Sequence, residues 1–185
     1  MAAKARAGRG RAPRGAPSAP APRAERYELF AICAPGLEGV LEAEMRALEL
    51  DVGKPDVGGV AFSGGASAVY RANLWLRSAT RIIARVGDFH ARLFDELERH
   101  SRRLQWTRFL RAGQPVRLRV STSKSRLYHT GAVAQRLSEA MEESTGVAPT
   151  VATGADDDEE AGEIPLVIVR LFRDRCTVSI DSSGA

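Results

Sequence analysis

Residues 165–181 read PLVIVRLFRDRCTVSID, and this stretch decides the fold class. Two runs rich in branched apolar residues flank the short connection Arg173–Arg175, which is the pattern of two strands joined as a β-hairpin. Upstream, PVRLRVS at residues 115–121 alternates apolar and polar side chains, as a half-buried strand does. Between these strands a helix is predicted from an N-cap at Thr130 to Gly146. Its apolar face consists of Val133, Leu137, Ala140 and Met141.

The first half of the chain also mixes short strands with helices. Strands are predicted from apolar runs at residues 27–33, 60–62 and 81–86. Helices are predicted from helical spacing at residues 37–48, after an N-cap at Ser67, and between residues 93 and 106. The stretch 53–58 is predicted to be a turn. This order of elements predicts an α+β fold, in which an antiparallel-rich sheet carries helices on one face.

Charge is distributed unevenly along the chain, although the net charge is only +4. Residues 1–26 hold seven basic residues and one acidic residue, and no bulky apolar residue follows Met1. Such a segment buries too little apolar surface to offset the entropy of ordering, so it is predicted to be a disordered basic tail. The acidic run Asp156–Glu160 is predicted to be a solvated loop. Residues 99–138, in contrast, contain ten Lys or Arg residues and no Asp or Glu.

Several function classes are disfavoured by what the sequence lacks. It has no stretch of 18 uncharged apolar residues, so we expect no membrane span and a cytoplasmic location. Cys33 and Cys176 have no second Cys or His at metal-ligand spacing, which predicts two reduced thiols and no metal site. Nucleophile, phosphate-loop and zinc-hydrolase motifs are missing, and the glycine pairs at residues 58–59 and 64–65 indicate turns. No catalytic residue is assigned.

The acid-free stretch 99–138 is the pattern that points to a ligand. Arg117 and Arg119 share one face of the PVRLRVS strand, which leads through a basic loop to a helix N-terminus, where backbone N–H groups favour an anion. Lysine and arginine bind phosphates, and flat side chains stack on bases. The predicted RNA-binding side chains are Arg117, Arg119, Lys124, Arg126, Tyr128, His129 and Arg136. Further candidates surround Trp106 and Phe109, namely Arg103, Arg108 and Arg111. The alternative is a solvated face whose counter-charges lie elsewhere in the fold.

Five segments of the sequence together resemble a known family. They are LFAICAPGLEGVLEAEM, GGVAFSG, VYRANLWLRSATRI, SRLYHTGAVAQRLSEAM and VRLFRDRCTVSIDSSG, and they extend from residue 29 to residue 184. Their order is similar to the N-terminal half of bacterial 23S rRNA guanine-N2 methyltransferases. The resemblance implies a ferredoxin-like segment over residues 27–67 and a THUMP RNA-binding domain over residues 68–183. The implied fold class is α+β, with a THUMP-type α/β sandwich and a mixed, antiparallel-rich sheet.

The resemblance also implies which part of the enzyme this chain represents. In that family a methyltransferase domain binds S-adenosylmethionine through a glycine loop and carries an Asn/Asp-Pro-Pro-aromatic motif, and neither motif occurs here. We therefore expect a non-catalytic, substrate-recognition portion that binds structured RNA, above all 23S rRNA, and holds no cofactor itself. Two alternatives remain open. One is a stand-alone THUMP adaptor that presents rRNA or tRNA to a separate modifying enzyme, and the other is a ferredoxin-like protein-interaction module without an RNA role.

Overall fold

The computed structural model describes residues 25–152 and 164–183. Most of the predicted basic tail and the acidic run Asp156–Glu160 therefore lie outside the described residues. Arg26, which the sequence assigns to the tail, is described. Its guanidinium donates hydrogen bonds to the Asp51 carboxylate and to the Ser63 hydroxyl. Arg26 is thus attached to the folded part of the chain.

The described residues form strands and helices in alternation. The strands are β1 (Tyr27–Cys33), β2 (Asp51–Asp56), β3 (Gly59–Gly64), β4 (Ala79–His90), β5 (Arg117–Ser123), β6 (Thr150–Val151), β7 (Leu166–Phe172) and β8 (Arg175–Asp181). The helices are α1 (Glu38–Ala47), α2 (Ala66–Trp75), α3 (Phe94–Ser101) and α4 (Thr130–Thr145), and a 3₁₀ turn spans Trp106–Arg108. The predicted hairpin is confirmed as β7–β8.

These strands form a single sheet with the order β2-β3-β1-β4-β8-β7-β5-β6. β5 runs parallel to both of its neighbours, β6 and β7, whereas the other neighbouring pairs are antiparallel. The mixed, antiparallel-rich sheet of an α+β fold is therefore confirmed. The parallel register between β5 and β7 aligns Ser123 with Phe172, so the ends of these two strands lie side by side.

Helices cover one face of the sheet. Because successive strand residues point to opposite faces, alternate residues of each strand belong to the core. Val169 of β7 packs in one core with residues of α3 and α4, and Leu41 of α1 packs in a second core with β1, β3 and β4. Ile180 of the first core pairs with Ala84 of the second across β8 and β4. Both cores, and the helices packed in them, therefore lie on the same face.

The opposite face of the sheet is here called the open face. By alternation, it carries Arg117, Arg119 and Ser121 of β5 and Ile168, Arg170 and Phe172 of β7. None of these residues belongs to either core. The open face is thus polar and basic along β5 and mixed along β7, where Arg170 lies between Ile168 and Phe172, whereas the helix-covered face is apolar.

Some local predictions are corrected by the structure. Much of the stretch 53–58, predicted as a turn, is the edge strand β2, whose exposed residues include a glycine and a proline and give no apolar pattern. The third helix, α3, ends at Ser101, before Trp106. β4 extends to His90, beyond the predicted end at residue 86.

The predicted helix caps are also displaced by one or two residues. The residue that precedes α4 is His129, and the one that precedes α2 is Gly65, rather than Thr130 and Ser67. Neither helix has a side-chain cap hydrogen bond. The N-terminus of α4 is therefore left without the internal acceptor that a Thr130 cap would supply.

Candidate nucleic-acid interface

The connection between β5 and α4, residues 123–129, is here called the basic loop. Its Leu127 side chain is 4% exposed and belongs to the core shared by β5 and α4. The Thr122 hydroxyl donates to the Tyr128 carbonyl at 3.0 Å, and the Ser125 hydroxyl donates to the Ser123 carbonyl at 3.1 Å. With its middle fixed inward, the loop exposes the side chains of Lys124, Arg126, Tyr128 and His129.

The tip of the β7–β8 hairpin holds the basic loop from the side. The Arg126 N–H donates to the Asp174 carboxylate at 2.8 Å, and the Asp174 N–H donates to the Ser125 hydroxyl at 3.0 Å. The Arg173 N–H donates to the Ser123 carbonyl at 3.3 Å. The Asp174 carboxylate also lies 3.4 Å from Nε of Arg92, and 18% of its side chain is exposed. This carboxylate therefore positions the loop backbone instead of projecting into solvent.

Strained backbone is concentrated at this place. The non-glycine residues with positive φ in residues 25–152 and 164–183 are Glu49, Lys124, Arg173 and Asp174. The last three, with φ values of 52°, 52° and 62°, lie in the basic loop or at the hairpin tip. A two-residue hairpin turn with two positive φ values favours Asn-Gly, and an L side chain in this region costs about 1 kcal/mol. Charged residues thus occupy positions that the backbone disfavours.

The N-terminus of α4 lies beside these cations. His129 precedes the helix, and the first turn contains no acidic residue. The first N–H groups of a helix have no acceptor within the helix, and the helix dipole makes this end electropositive. The rings of Tyr128 and His129 lie 4.0 Å apart between their centroids, at the mouth of the same loop. We call the basic loop, the hairpin tip Arg173–Asp174, Arg92 and this helix end the basic edge.

The two predicted β5 arginines lie away from the basic edge. Arg117 begins the strand and is only 8% exposed, and Arg119 is half-buried. Both make polar or electrostatic contacts of their own. Because a strand rises about 3.3 Å per residue, Arg117 is separated from Ser123 by roughly 20 Å. They share the open face, as predicted, but the structure does not bring them together with Lys124 and Arg126.

Arg136 lies on α4 and is ion-paired. Its guanidinium is 3.2 Å from the Glu98 carboxylate of α3 and 3.8 Å from the Glu139 carboxylate. Arg102, in the same helix–helix surface, lies 3.0 Å from Glu98 and 2.9 Å from Glu143. These charges are therefore compensated within the α3–α4 surface.

The further candidates are dispersed. Arg103 is exposed just after α3. Arg108 donates to the Arg26 carbonyl, and its guanidinium lies 5.0 Å from the centroid of the Tyr27 ring. Arg111 lies near the opposite end of α4, where the Gly113 N–H donates to the carbonyl of Thr145, the last helical residue. These three arginines do not form one surface with the basic loop.

Trp106 is not a stacking surface, contrary to the sequence-based expectation. Its side chain is 1% exposed, and its indole N–H donates to the Ser101 carbonyl at 2.9 Å. The aromatic and arginine-rich composition of residues 99–111 therefore reflects a core tryptophan surrounded by surface arginines. Burial cannot be distinguished from base stacking by composition alone.

Sequence reasoning missed the residues that the hairpin contributes, namely Arg170, Phe172 and Arg173, together with Arg92. The guanidinium groups of Arg170 and Arg173 lie 5.6 Å and 5.1 Å from the centroid of the Phe172 ring. The hairpin residues could have been found only from the parallel pairing of β5 with β7, which brings residue 172 beside residue 123. A pairing between strands so far apart in the chain is not encoded in local periodicity.

Other chemistries find little support in the described residues. Cys33 and Cys176 are buried free thiols, and burial raises the pKa of Cys176 to about 12. Within residues 25–152 and 164–183, no group of three or more His, Cys, Asp or Glu could hold a metal ion. A Cβ on Gly59 would meet the Ala31 carbonyl at 2.2 Å, so this glycine allows close packing and does not cradle a cofactor. None of the described helices is long and apolar enough to cross a membrane.

The chain is similar to proteins that are described as methyltransferases. Residues 28–83 match the family model of the RlmL ferredoxin-like domain. The chain is 33% identical to the putative RNA methyltransferase YpsC of Bacillus subtilis over 162 residues. That match covers 86% of this chain and 41% of YpsC. It is also 28% identical to the ribosomal RNA large subunit methyltransferase K/L of Cellvibrio japonicus. That match covers 85% of this chain and 21% of the Cellvibrio japonicus protein. A solved structure described as a predicted N6-adenine-specific DNA methylase from Listeria monocytogenes matches with a TM-score of 0.71 and 30% identity, over 86% of this chain and 42% of that one.

These comparisons support the N-terminal ferredoxin-like region and a relationship to RNA methyltransferases. The chain spans less than half the length of these relatives. The family match ends within β4, the strand that contributes to both cores. The THUMP assignment and the boundary between residues 67 and 68 stay predictions.

Proposed function

We propose that this chain is the RNA-recognition portion of an S-adenosylmethionine-dependent rRNA guanine-N2 methyltransferase, with residues 68–183 as its THUMP domain. The observation that carries the proposal is the basic edge, where Lys124 and Arg126 are exposed beside the N-terminus of α4, and where Asp174 accepts from the backbone N–H of Arg126. The Bacillus subtilis and Cellvibrio japonicus relatives support it, because both are described as RNA methyltransferases.

The basic edge suits a phosphodiester backbone in three respects. Its cations project from a loop whose backbone is already fixed by Leu127 and Asp174, so little conformational entropy is lost on binding. The Asp174 carboxylate is turned inward, so it does not oppose an approaching phosphate. The helix end adds backbone donors that favour an anion. This arrangement supports recognition of RNA by shape and backbone. The choice of 23S rRNA as the target rests on the similarity to large-subunit rRNA methyltransferases.

The methyl donor is expected to bind elsewhere in the enzyme. Gly59 and Gly64 each pack against the chain's own atoms, so these two glycines do not form a loop for S-adenosylmethionine. A Cβ on Gly64, for example, would lie 2.4 Å from the Ala68 Cβ. The basic edge would bind and orient RNA, and methyl transfer would belong to a catalytic domain, covalently linked or separate.

The decisive experiment compares two double variants of equal charge. Lys124→Ala with Arg126→Ala removes two cations from the basic edge, and Arg46→Ala with Arg77→Ala removes two exposed cations from the first half of the chain. Binding to a structured 23S rRNA fragment is measured by fluorescence anisotropy at several salt concentrations. The loop variant should bind more weakly, with a slope of log affinity against log salt shallower by roughly two units, one per lost phosphate contact.

The control variant should keep the wild-type affinity and slope within error. Equal losses in both variants would show that net charge alone governs binding, and the basic edge would then not be a site. The free energy of unfolding of both variants should lie within about 0.5 kcal/mol of the wild-type value, because exposed substitutions rarely alter stability by more.

A protein-interaction role has one observation in its favour. α2 exposes three large apolar or aromatic side chains, Tyr70, Leu74 and Trp75, while its only buried residue is Ala72. Deleting residues 1–24 separates this role from RNA recognition. If the folded part binds RNA, the shortened chain should retain binding at physiological salt. If binding disappears with the tail, the fold has no RNA role and a protein-interaction module is the better description.

A further inference from the structure

The open face contains an aromatic side chain that the fold does not use in either core. Phe172 ends β7, is half-buried, and is absent from both hydrophobic clusters. The guanidinium groups of Arg170 and Arg173 lie over its ring, within the distance at which cation–π attraction operates. An aromatic ring flanked by two arginines at a strand end is thus presented on a face that no described helix covers.

The charges around this ring leave both arginines available. Asp88 accepts from Arg175 at 2.6 Å and from the Thr177 hydroxyl at 3.3 Å, and Asp174 is held by the basic loop. Among the residues that the structure describes, neither Arg170 nor Arg173 forms an ion pair, and both are exposed. The carboxylates of Asp88 and Asp174 are thus engaged by other groups, Asp88 by Arg175 and Thr177 and Asp174 by the Arg126 N–H and Arg92, whereas the two guanidinium groups at the ring form no ion pair within the described residues.

We propose that Arg170, Phe172 and Arg173 form a stacking platform for an unpaired base of the bound RNA, immediately beside the phosphate-binding basic edge. This inference rests on the proposed function. Bases of single-stranded loops and bulges stack on aromatic rings and on guanidinium planes, whereas paired bases inside a duplex are inaccessible.

The position of the platform allows a single nucleotide to use both surfaces. Phe172 is in register with Ser123, and neighbouring strands lie about 4.8 Å apart. The Arg173 N–H donates to the Ser123 carbonyl, so the platform is fixed to the first residue of the basic loop. A phosphate on Lys124 or Arg126 would thus place its adjoining base over the open face. RNA preference should therefore depend on unpaired nucleotides and not on charge alone.

Two RNA probes distinguish this proposal from simple charge attraction. One is a blunt RNA duplex, and the other is the same duplex with a short unpaired bulge. The full chain should bind the bulged RNA about tenfold more tightly, since stacking of one base has roughly this effect on affinity. Phe172→Leu, which keeps an apolar side chain, and Arg170→Gln should each reduce this preference while leaving duplex affinity within about twofold. Tyr70→Leu, which removes an exposed aromatic ring from α2, should leave the preference unchanged.

Each outcome is informative. A preference that survives in both Phe172→Leu and Arg170→Gln overturns the platform but leaves the proposed function intact, as does equal wild-type binding to both probes. Failure of the wild type to bind either RNA overturns the proposed function itself. If Phe172→Leu lowers the melting temperature, Arg170→Gln decides alone, because its exposed side chain belongs to neither core.

Discussion

Two groups of basic side chains come from the same acid-free stretch, residues 99–138, and the fold gives them opposite surroundings. On the α3–α4 surface, Arg102 and Arg136 are ion-paired with carboxylates that flank the stretch in sequence, namely Glu98, Glu139 and Glu143. At the basic edge, Lys124 and Arg126 form no ion pair with the part of the chain that the structure describes. A stretch without acidic residues can therefore lie beside carboxylates in the folded chain. The packing of α3 against α4 determines which of its cations are ion-paired and which remain available to a ligand.

The largest expected effect is that of Asp174→Ala, which should weaken RNA binding although it removes a negative charge. Asp174→Ala removes the acceptor for the Arg126 N–H and the partner of Arg92. We expect a loss of about 1–2 kcal/mol in unfolding free energy, because a hydrogen bond to a charged group is lost. RNA affinity should also fall about tenfold, since misplacing a positioning group weakens binding although the chain becomes more positive. Thermal unfolding and anisotropy measure the two effects.

Glu28→Ala is the matched control, because it removes the same charge from an exposed position on β1. It should leave RNA affinity unchanged or slightly raised. Tighter binding by Asp174→Ala would show that the fixed geometry of the basic loop is irrelevant and that only repulsion by the carboxylate matters.

An intermediate effect is expected at Lys124, where stability and binding should move in opposite directions. Its φ of 52° favours glycine, so Lys124→Gly should hold or raise unfolding free energy by up to about 1 kcal/mol. RNA affinity should drop, and the salt slope should become shallower by roughly one unit. Glu49→Gly has a matched φ of 54° in the other half of the chain and should change stability alone. An unchanged affinity for Lys124→Gly would remove this residue from the interface.

The smallest effect is expected for the paired arginines. Arg102→Ala with Arg136→Ala should alter RNA affinity less than about twofold and unfolding free energy by no more than about 1 kcal/mol, since exposed ion pairs contribute little. Binding titrations with the same rRNA fragment test this. If this variant binds as weakly as the variant lacking Lys124 and Arg126, the difference between the two surfaces has no bearing on RNA.

Local periodicity is sufficient to predict much of the fold. The alternation in PVRLRVS and the hairpin around Arg173–Arg175 both correspond to observed strands, and the apolar face of α4 is buried as expected. These elements are predictable because each buries one face whose repeat is visible within a few residues. β2 is not, since an edge strand with exposed side chains has no such repeat.

The site is only half visible in the sequence. The exposed basic loop is found from its charge and from the helix that follows it. The contribution of Phe172, Arg173 and Asp174 is not, because it depends on the parallel β5–β7 register between distant parts of the chain. The sequence predicts that Arg117 binds RNA, but its side chain is buried. Strand alternation predicts which face of the sheet a residue lies on and does not predict whether that residue is exposed.

The burial of both cysteines has a practical consequence. Thiols react with maleimides as thiolates, and Cys176, with a pKa of about 12 and no exposed surface, is almost entirely protonated at neutral pH. Burial also raises the pKa of Cys33. The two native thiols should therefore react only slowly with thiol-directed labels. A cysteine introduced on the exposed surface of the basic loop would carry a fluorophore or a photocrosslinker selectively, without prior removal of the native thiols.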